Sequence, residues 1–157
     1  MTVTEDPARI PSPALIYGVA GLIPFVVGAL GILTRKMADP AILPLEALYS
    51  AIILSFLGGA RWGFEVARPA PRTGLITLSM APSVAGFLIC GLAIIEGRDD
   101  PIIGSGCLLV FAILFVLQWL WDLTSRDAPV WYAKLRTRLT GVVVSCLLIC
   151  AFGVFRL

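Results

Sequence analysis

Five apolar stretches, at about residues 14–34, 44–64, 74–95, 101–121 and 139–155, alternate with short segments that hold most of the charge. A helix needs about 20 apolar residues, rising about 1.5 Å each, to cross a hydrocarbon core about 30 Å thick. Each stretch meets or approaches that length. The pattern predicts an all-α integral membrane protein, a compact bundle of five transmembrane helices forming one membrane domain over residues 14–157. The polar tail at residues 1–13 carries three prolines and reads as extended chain. It lacks the basic start of a signal peptide.

Small residues recur inside the first two stretches. Gly18, Gly21, Pro24, Gly28 and Gly31 follow at spacings of three or four, and Ala47, Ala51, Ser55, Gly59 and Gly63 at spacings of four. Side chains four apart stack on one helix face, and in lipid helices associate where small residues let backbones approach. The two faces predict that spans one and two pack together, with span two as the central packing helix. Pro24 and Pro82 (the latter among Ser79, Ser83 and Gly86) predict kinks, because proline lacks an N–H and crowds the preceding turn. Ser12-Pro13, and Asp99 or Asp100 followed by Pro101, read as helix starts.

Composition agrees with a membrane protein. The chain is 59% hydrophobic and 14% charged with a mean hydropathy of +0.95, against about 45–50% and about 25% in soluble domains. A net charge of +2 does not suggest nucleic acid. The chain has no histidine, which removes His-ligated haem, most zinc and copper sites and His general-base catalysis. Cys90, Cys107, Cys146 and Cys150 lie in apolar runs, and no disulfide, metal or cofactor is expected.

The basic residues set an orientation. Arg9, Arg61, Arg68, Arg72, Arg126, Lys134, Arg136 and Arg138 fall on one side, and Arg35, Lys36, Arg98 and Arg156 on the other, eight against four. Positive-inside then predicts the N-terminus in the cytoplasm and the C-terminus outside, which in a bacterial inner membrane is the periplasm. Trp62, Trp119, Trp121 and Trp131 all fall at the basic boundary. With Lys134, Arg136 and Arg138 they form a rim, either a one-sided anchoring belt or a surface for a partner or lipid headgroup. The stretch 124–138 reads as a long loop whose second half lies in the headgroup region or forms a helix leading into span five.

Several segments resemble one family. They are Gly18, Gly21, Pro24 and Phe25 of span one, YSAIILSFLGGARWG of span two and WYAKLRTRLT before span five. They are similar to transmembrane protein 69 and its bacterial relatives, a domain of unknown function. The resemblance covers roughly residues 14–155. It implies a small multi-span protein of bacterial and mitochondrial inner membranes, and no reaction.

The candidate chemistry is sparse. Arg61, near the end of span two, either snorkels to headgroups, pairs with Asp122 at the matching end of span four, or meets a ligand. Glu46 reads as a helix-start carboxylate suited to the helix dipole. Gln118 and Ser55 read as interhelical hydrogen-bonders. The sequence has no phosphate loop, nucleophile elbow, paired catalytic carboxylates or HExxH motif, so catalysis is not expected. The helix-packing set is Gly18, Gly21, Gly28, Ala51, Ser55, Gly59 and Gly63, and the candidate ion pair is Arg61 with Asp122. The expected function is that of a non-enzymatic accessory, assembly or stabilising partner of a membrane complex, with lipids, other membrane proteins or itself as partners. The alternatives are an oligomeric transporter or channel and a lipid- or quinone-binding module.

Overall fold

Pro24 splits the first span in two. In the computed structural model, which describes residues 9–36, 42–125 and 128–156, helix α1 runs Ser12–Ala20 and α2 runs Ile23–Leu33. A proline at the second position of α2 cannot bond back to the carbonyl of Ala20, and its ring crowds that carbonyl. The chain closes α1 with Gly21 N–H donating to Tyr17 O at 2.9 Å and Leu22 N–H to Val19 O at 3.0 Å, and α2 opens with Val26 N–H on Leu22 O at 3.0 Å. Ser12 lies inside α1, with Pro11 rather than Ser12 at the cap position.

Four single helices follow: α3 Ile42–Val66, α4 Thr73–Ile95, α5 Pro101–Thr124 and α6 Val130–Gly153, the last ending in a 3-10 turn, Val154–Arg156. With α1 and α2 taken together, five helical spans among the described residues are long and apolar enough to cross a membrane. Of the two candidate caps Asp100 takes the role at α5, accepting from Ile102 N–H at 2.8 Å and Ile103 N–H at 3.4 Å. α4 continues unbroken through Pro82. The main change of boundary is at α6, which starts at Val130. Residues 130–138 are therefore helix leading into the span, not headgroup loop. Residues 1–8 of the tail, Asp39-Pro40, Arg126 and the Arg156 side chain lie outside the described residues.

Helices α3 and α4 form one closely packed hairpin and α5 and α6 another, and α2 lies against α6. α3 also touches α2, α5 and α6, which fits a central helix. Between the hairpins sits an aromatic core. Phe25 meets the Phe115 ring edge-on at 6.1 Å and Tyr49 at 5.0 Å. Phe111, Leu43, Leu54, Leu108 and Leu147 complete this core and are fully buried. Lipid is as apolar as leucine, so dispersion and shape fit, more than water exclusion, hold these groups inside.

The small-residue stripe of α3 faces α4, not α2. The Ser55 and Ser83 hydroxyls share a 2.9 Å hydrogen bond, and a Cβ on Gly86 would stand 3.3 Å from the Ala51 Cα. The stripe also leaves the interface before it ends: around Gly59 and Gly63 a Cβ would meet nothing within 4 Å. A spacing of four overshoots a helical turn by about 40°, so the line rotates off the seam and Gly58 takes over. A Cβ on Gly58 would fall 2.6 Å from the Ser79 carbonyl oxygen. Span one uses its glycines on other partners. Gly18 makes room for Leu139 of α6, Gly21 O accepts from the Tyr49 hydroxyl at 3.0 Å, and Gly28 receives the carboxylate of Glu46. Spans one and two thus meet by glycine against a large side chain, and the predicted pairing of small faces does not occur.

Candidate functional site

The polar groups gather where α3 and α5 end and α4 and α6 begin. Asp122 is at the centre, with 1% of its surface exposed. Its Oδ2 accepts a 2.8 Å hydrogen bond from Arg136 Nε, and its Oδ1 lies 3.9 Å from Arg61 Nε. The sequence-predicted pair is therefore one side of a triad, and the tighter bond belongs to Arg136. Arg136 is not part of the exposed rim: it is 6% exposed, whereas Lys134 and Arg138 lie at the surface. Helical geometry explains the correction. Residues two apart differ by about 200° in direction, so once residues 130–138 are helical, 134 and 138 share one side and 136 takes the other. Arg136 then continues the buried face formed by Thr140, Val143, Leu147 and Cys150.

Aromatic side chains wall the triad. The Arg61 guanidinium carbon lies 4.5 Å from the centroid of Trp121, a cation–π contact that holds the plane of the fork. Phe64 meets Tyr132 edge-on at 5.9 Å, and Tyr132 meets Trp131 at 6.0 Å. Trp119 Nε1 donates to the Thr137 hydroxyl at 3.0 Å, while Trp62 is exposed. Nearby, Arg72 grips Glu65 with Nε at 3.0 Å and with its terminal nitrogen on the other oxygen. This fork ties the end of α3 to the start of α4.

The triad leaves buried polar atoms of both kinds unpartnered. Two guanidiniums share one carboxylate, and Arg61 Nη1, Arg136 Nη2, Gln118 Nε2, Thr140 Oγ1 and Asp122 Oδ1 have no hydrogen-bond partner among the described residues. A cavity of about 380 Å³ between α1, α3 and α6 reaches from Pro13 and Tyr17 to Arg136 and Thr140. Its walls include Phe56, Leu139 and Val143, so it is apolar with a polar inner edge. A polar pocket of about 430 Å³ opens on the other side of the triad, where Arg61, Arg68 and Arg72 converge.

Toward the opposite end of the bundle, Glu46 is buried at 4% exposure, with Oε2 unpartnered among the described residues. With span two starting at about residue 44, the sequence predicts it in the first turn. Because α3 begins at Ile42, Glu46 is instead its fifth residue and faces inward against Gly28. Ser50, one turn on, is buried on the same face. The thiols of Cys90, Cys107, Cys146 and Cys150 are buried and free.

The model of the family described as protein of unknown function (DUF3429) matches residues 10–152. The chain is 34% identical over 135 residues to transmembrane protein 69 of Xenopus tropicalis, covering 85% of this chain and 51% of that protein. It is 35% identical over 94 residues to transmembrane protein 69 of Mus musculus, covering 59% of this chain and 38% of that protein. The chain thus spans about half the length, or less, of these curated relatives. No solved structure matches it.

Proposed function

We propose, from the premise that the chain belongs to the DUF3429 family of transmembrane protein 69-like membrane proteins, that it acts without catalysis. In this reading it is an accessory membrane protein that holds a lipid-like amphiphile between α1, α3 and α6. One observation carries the proposal: the 380 Å³ cavity joins apolar walls to the buried Arg136 and Thr140, each with an unpartnered polar atom at that edge. A long apolar tail lies against Phe56, Leu139 and Val143, and its polar group takes the hydrogen bonds that these two side chains offer. Ligand sites of this kind combine apolar walls with a few placed polar groups. The layer of Phe25, Phe111 and Phe115 between the triad and Glu46 supports holding over conduction, because it fills the bundle's middle with buried rings. The eight-to-four excess of Lys and Arg supports an inner-membrane location with the N-terminus in the cytoplasm.

The test is photo-crosslinking in purified, detergent-solubilised protein with a diazirine-bearing fatty acid. Labelling concentrated on α1 and α6 and suppressed by Leu139→Trp supports the reading. Labelling spread evenly over the lipid-facing sides of all helices overturns it.

A further inference from the structure

Resting on the amphiphile reading of the cavity between α1, α3 and α6, we infer that the ligand is a single-chain carboxylate, a long-chain fatty acid in its ionised form. Its charge is selected by Arg136 at the cavity edge and by Arg61, which does not line the cavity.

The first ground is the charge of the triad itself. Arg61, Asp122 and Arg136 hold two positive charges and one negative, and none of the three is more than 6% exposed. Asp122 stands between the cations, 2.8 Å from Arg136 and 3.9 Å from Arg61. Its Oδ1 has no hydrogen bond and is free to accept one from either arginine. Such a bond adds a contact to the same carboxylate and leaves the charge at one positive. The next carboxylate along α3, Glu65, is held by the Arg72 fork. Of the triad, Arg136 alone lines the cavity. A carboxylate seated against it gives a row of alternating sign: Arg61, Asp122, Arg136, ligand. Shielded charge is costly unless it is paired, so a neutral headgroup leaves the excess standing and a cationic one adds to it.

The second ground is Thr140. On the same helix Thr137 and Ser145 return their hydroxyls to the carbonyl four residues back, each at 2.9 Å, the usual habit of helical Ser and Thr. Thr140 does not: it is 4% exposed, lines the cavity, and its Oγ1 has no partner among the described residues. Positions 136 and 140 are neighbours on one helix face. A carboxylate brings two acceptor oxygens, one for the guanidinium and one for the hydroxyl.

The third ground is the shape of the rest. The α6 wall runs from Tyr132 to Val143, about 16 Å of helix, with Arg136 and Thr140 partway along it. Tyr17 and Phe56 line the cavity and are 76% and 71% exposed, so it opens toward lipid and a chain enters from the side. A volume of about 380 Å³ lies at the small end of ligand pockets, which run from about 300 to about 1,000 Å³. That suits one acyl chain over the two of a phospholipid.

The experiment compares oleate, oleyl alcohol and oleylamine, three ligands with one tail, on the full chain in detergent at pH 8, where a carboxylic acid is ionised. Binding is read by native mass spectrometry and by thermal shift. Oleate is expected to bind at least about tenfold tighter than the alcohol, because its hydrogen bonds are charge-assisted, and the amine to bind weakest. Thr140→Val, which keeps the side chain's shape, is expected to weaken oleate about fivefold. Arg61→Met leaves Arg136 and Asp122 as a neutral pair. It is expected to weaken oleate about tenfold, through charge acting across a shielded interior, and to leave the alcohol within about twofold. Retained alcohol binding shows that this variant is folded. Leu139→Trp is expected to abolish binding of both. Equal loss of oleate and alcohol in Arg61→Met overturns the inference. Equal affinity for oleate and alcohol in the parent, with both lost in Leu139→Trp, overturns the carboxylate and leaves the amphiphile reading standing. Binding of all three ligands unchanged by Leu139→Trp overturns both.

Discussion

Asp122 on α5 and Arg136 on α6 are fourteen residues apart in sequence and 2.8 Å apart at Oδ2 and Nε. Both are shielded, with side-chain exposures of 0% and 7%. Removing one partner of a buried pair leaves an uncompensated charge and costs about 3–5 kcal/mol. Asp122→Ala strands two guanidiniums at once and is expected to reach that range in reversible unfolding from mixed micelles. Arg136→Met should cost more than Arg61→Met, because Arg136 makes the hydrogen bond and Arg61 only the 3.9 Å contact. Equal losses from the two arginine variants would show that the carboxylate is shared evenly.

Gly28→Ala is expected to destabilise by about 1–3 kcal/mol, because its Cβ falls on the Glu46 carboxylate. Adding Glu46→Ala removes the collision and should restore most of the loss. A double variant no better than Gly28→Ala alone would place the cost elsewhere.

Adjacent glycines on α3 should behave differently. Gly58→Ala puts a methyl group 2.6 Å from a backbone oxygen of α4, which has no rotamer to escape to, and should cost about 1–3 kcal/mol. Gly59→Ala meets nothing within 4 Å and should stay within about 0.5 kcal/mol of the parent. Melting both variants in one detergent checks the contrast.

Glu46→Gln keeps the side chain's shape and removes a carboxylate with an unpartnered oxygen. A buried charge without a partner costs more than a buried amide. The variant should melt higher than the parent at pH 8, and a lower melting temperature would reveal a cation that balances Glu46.

Reporter fusions are expected to place residue 1 in the cytoplasm and residue 157 outside it. A C-terminal reporter active only in the cytoplasm would reverse the orientation drawn from the basic residues.

The spans were legible because each is a long apolar run, and length alone settles what such a run does in lipid. The joints were harder. The run WYAKLRTRLT carries enough charge to fit a headgroup segment as well as a helix leading into span five, and it is the inward positions 136, 140, 143, 147 and 150, which keep one helical face, that lead back from Cys150 to Arg136. The every-fourth pattern points to Gly59 and passes over Gly58, because a spacing of four looks continuous along the sequence while it turns about 40° per step in space. The match of Gly28 to Glu46 had no local sign. It joins a missing side chain on one helix to a large one on another, and only the three-dimensional fit reveals such a pair.

α1 has nine residues and buries none of them fully, and its neighbour across the cavity is α6. Segments with few buried contacts open at far lower free energy than the core does. The break before Pro24 uncouples α1 from α2, so α1 can exchange its amide hydrogens without disturbing Phe25. The cavity therefore has one wall that belongs to an equilibrium and two, α3 and α6, that do not. Its working volume follows the population of the docked α1, and whatever lies inside contributes to that population by mass action.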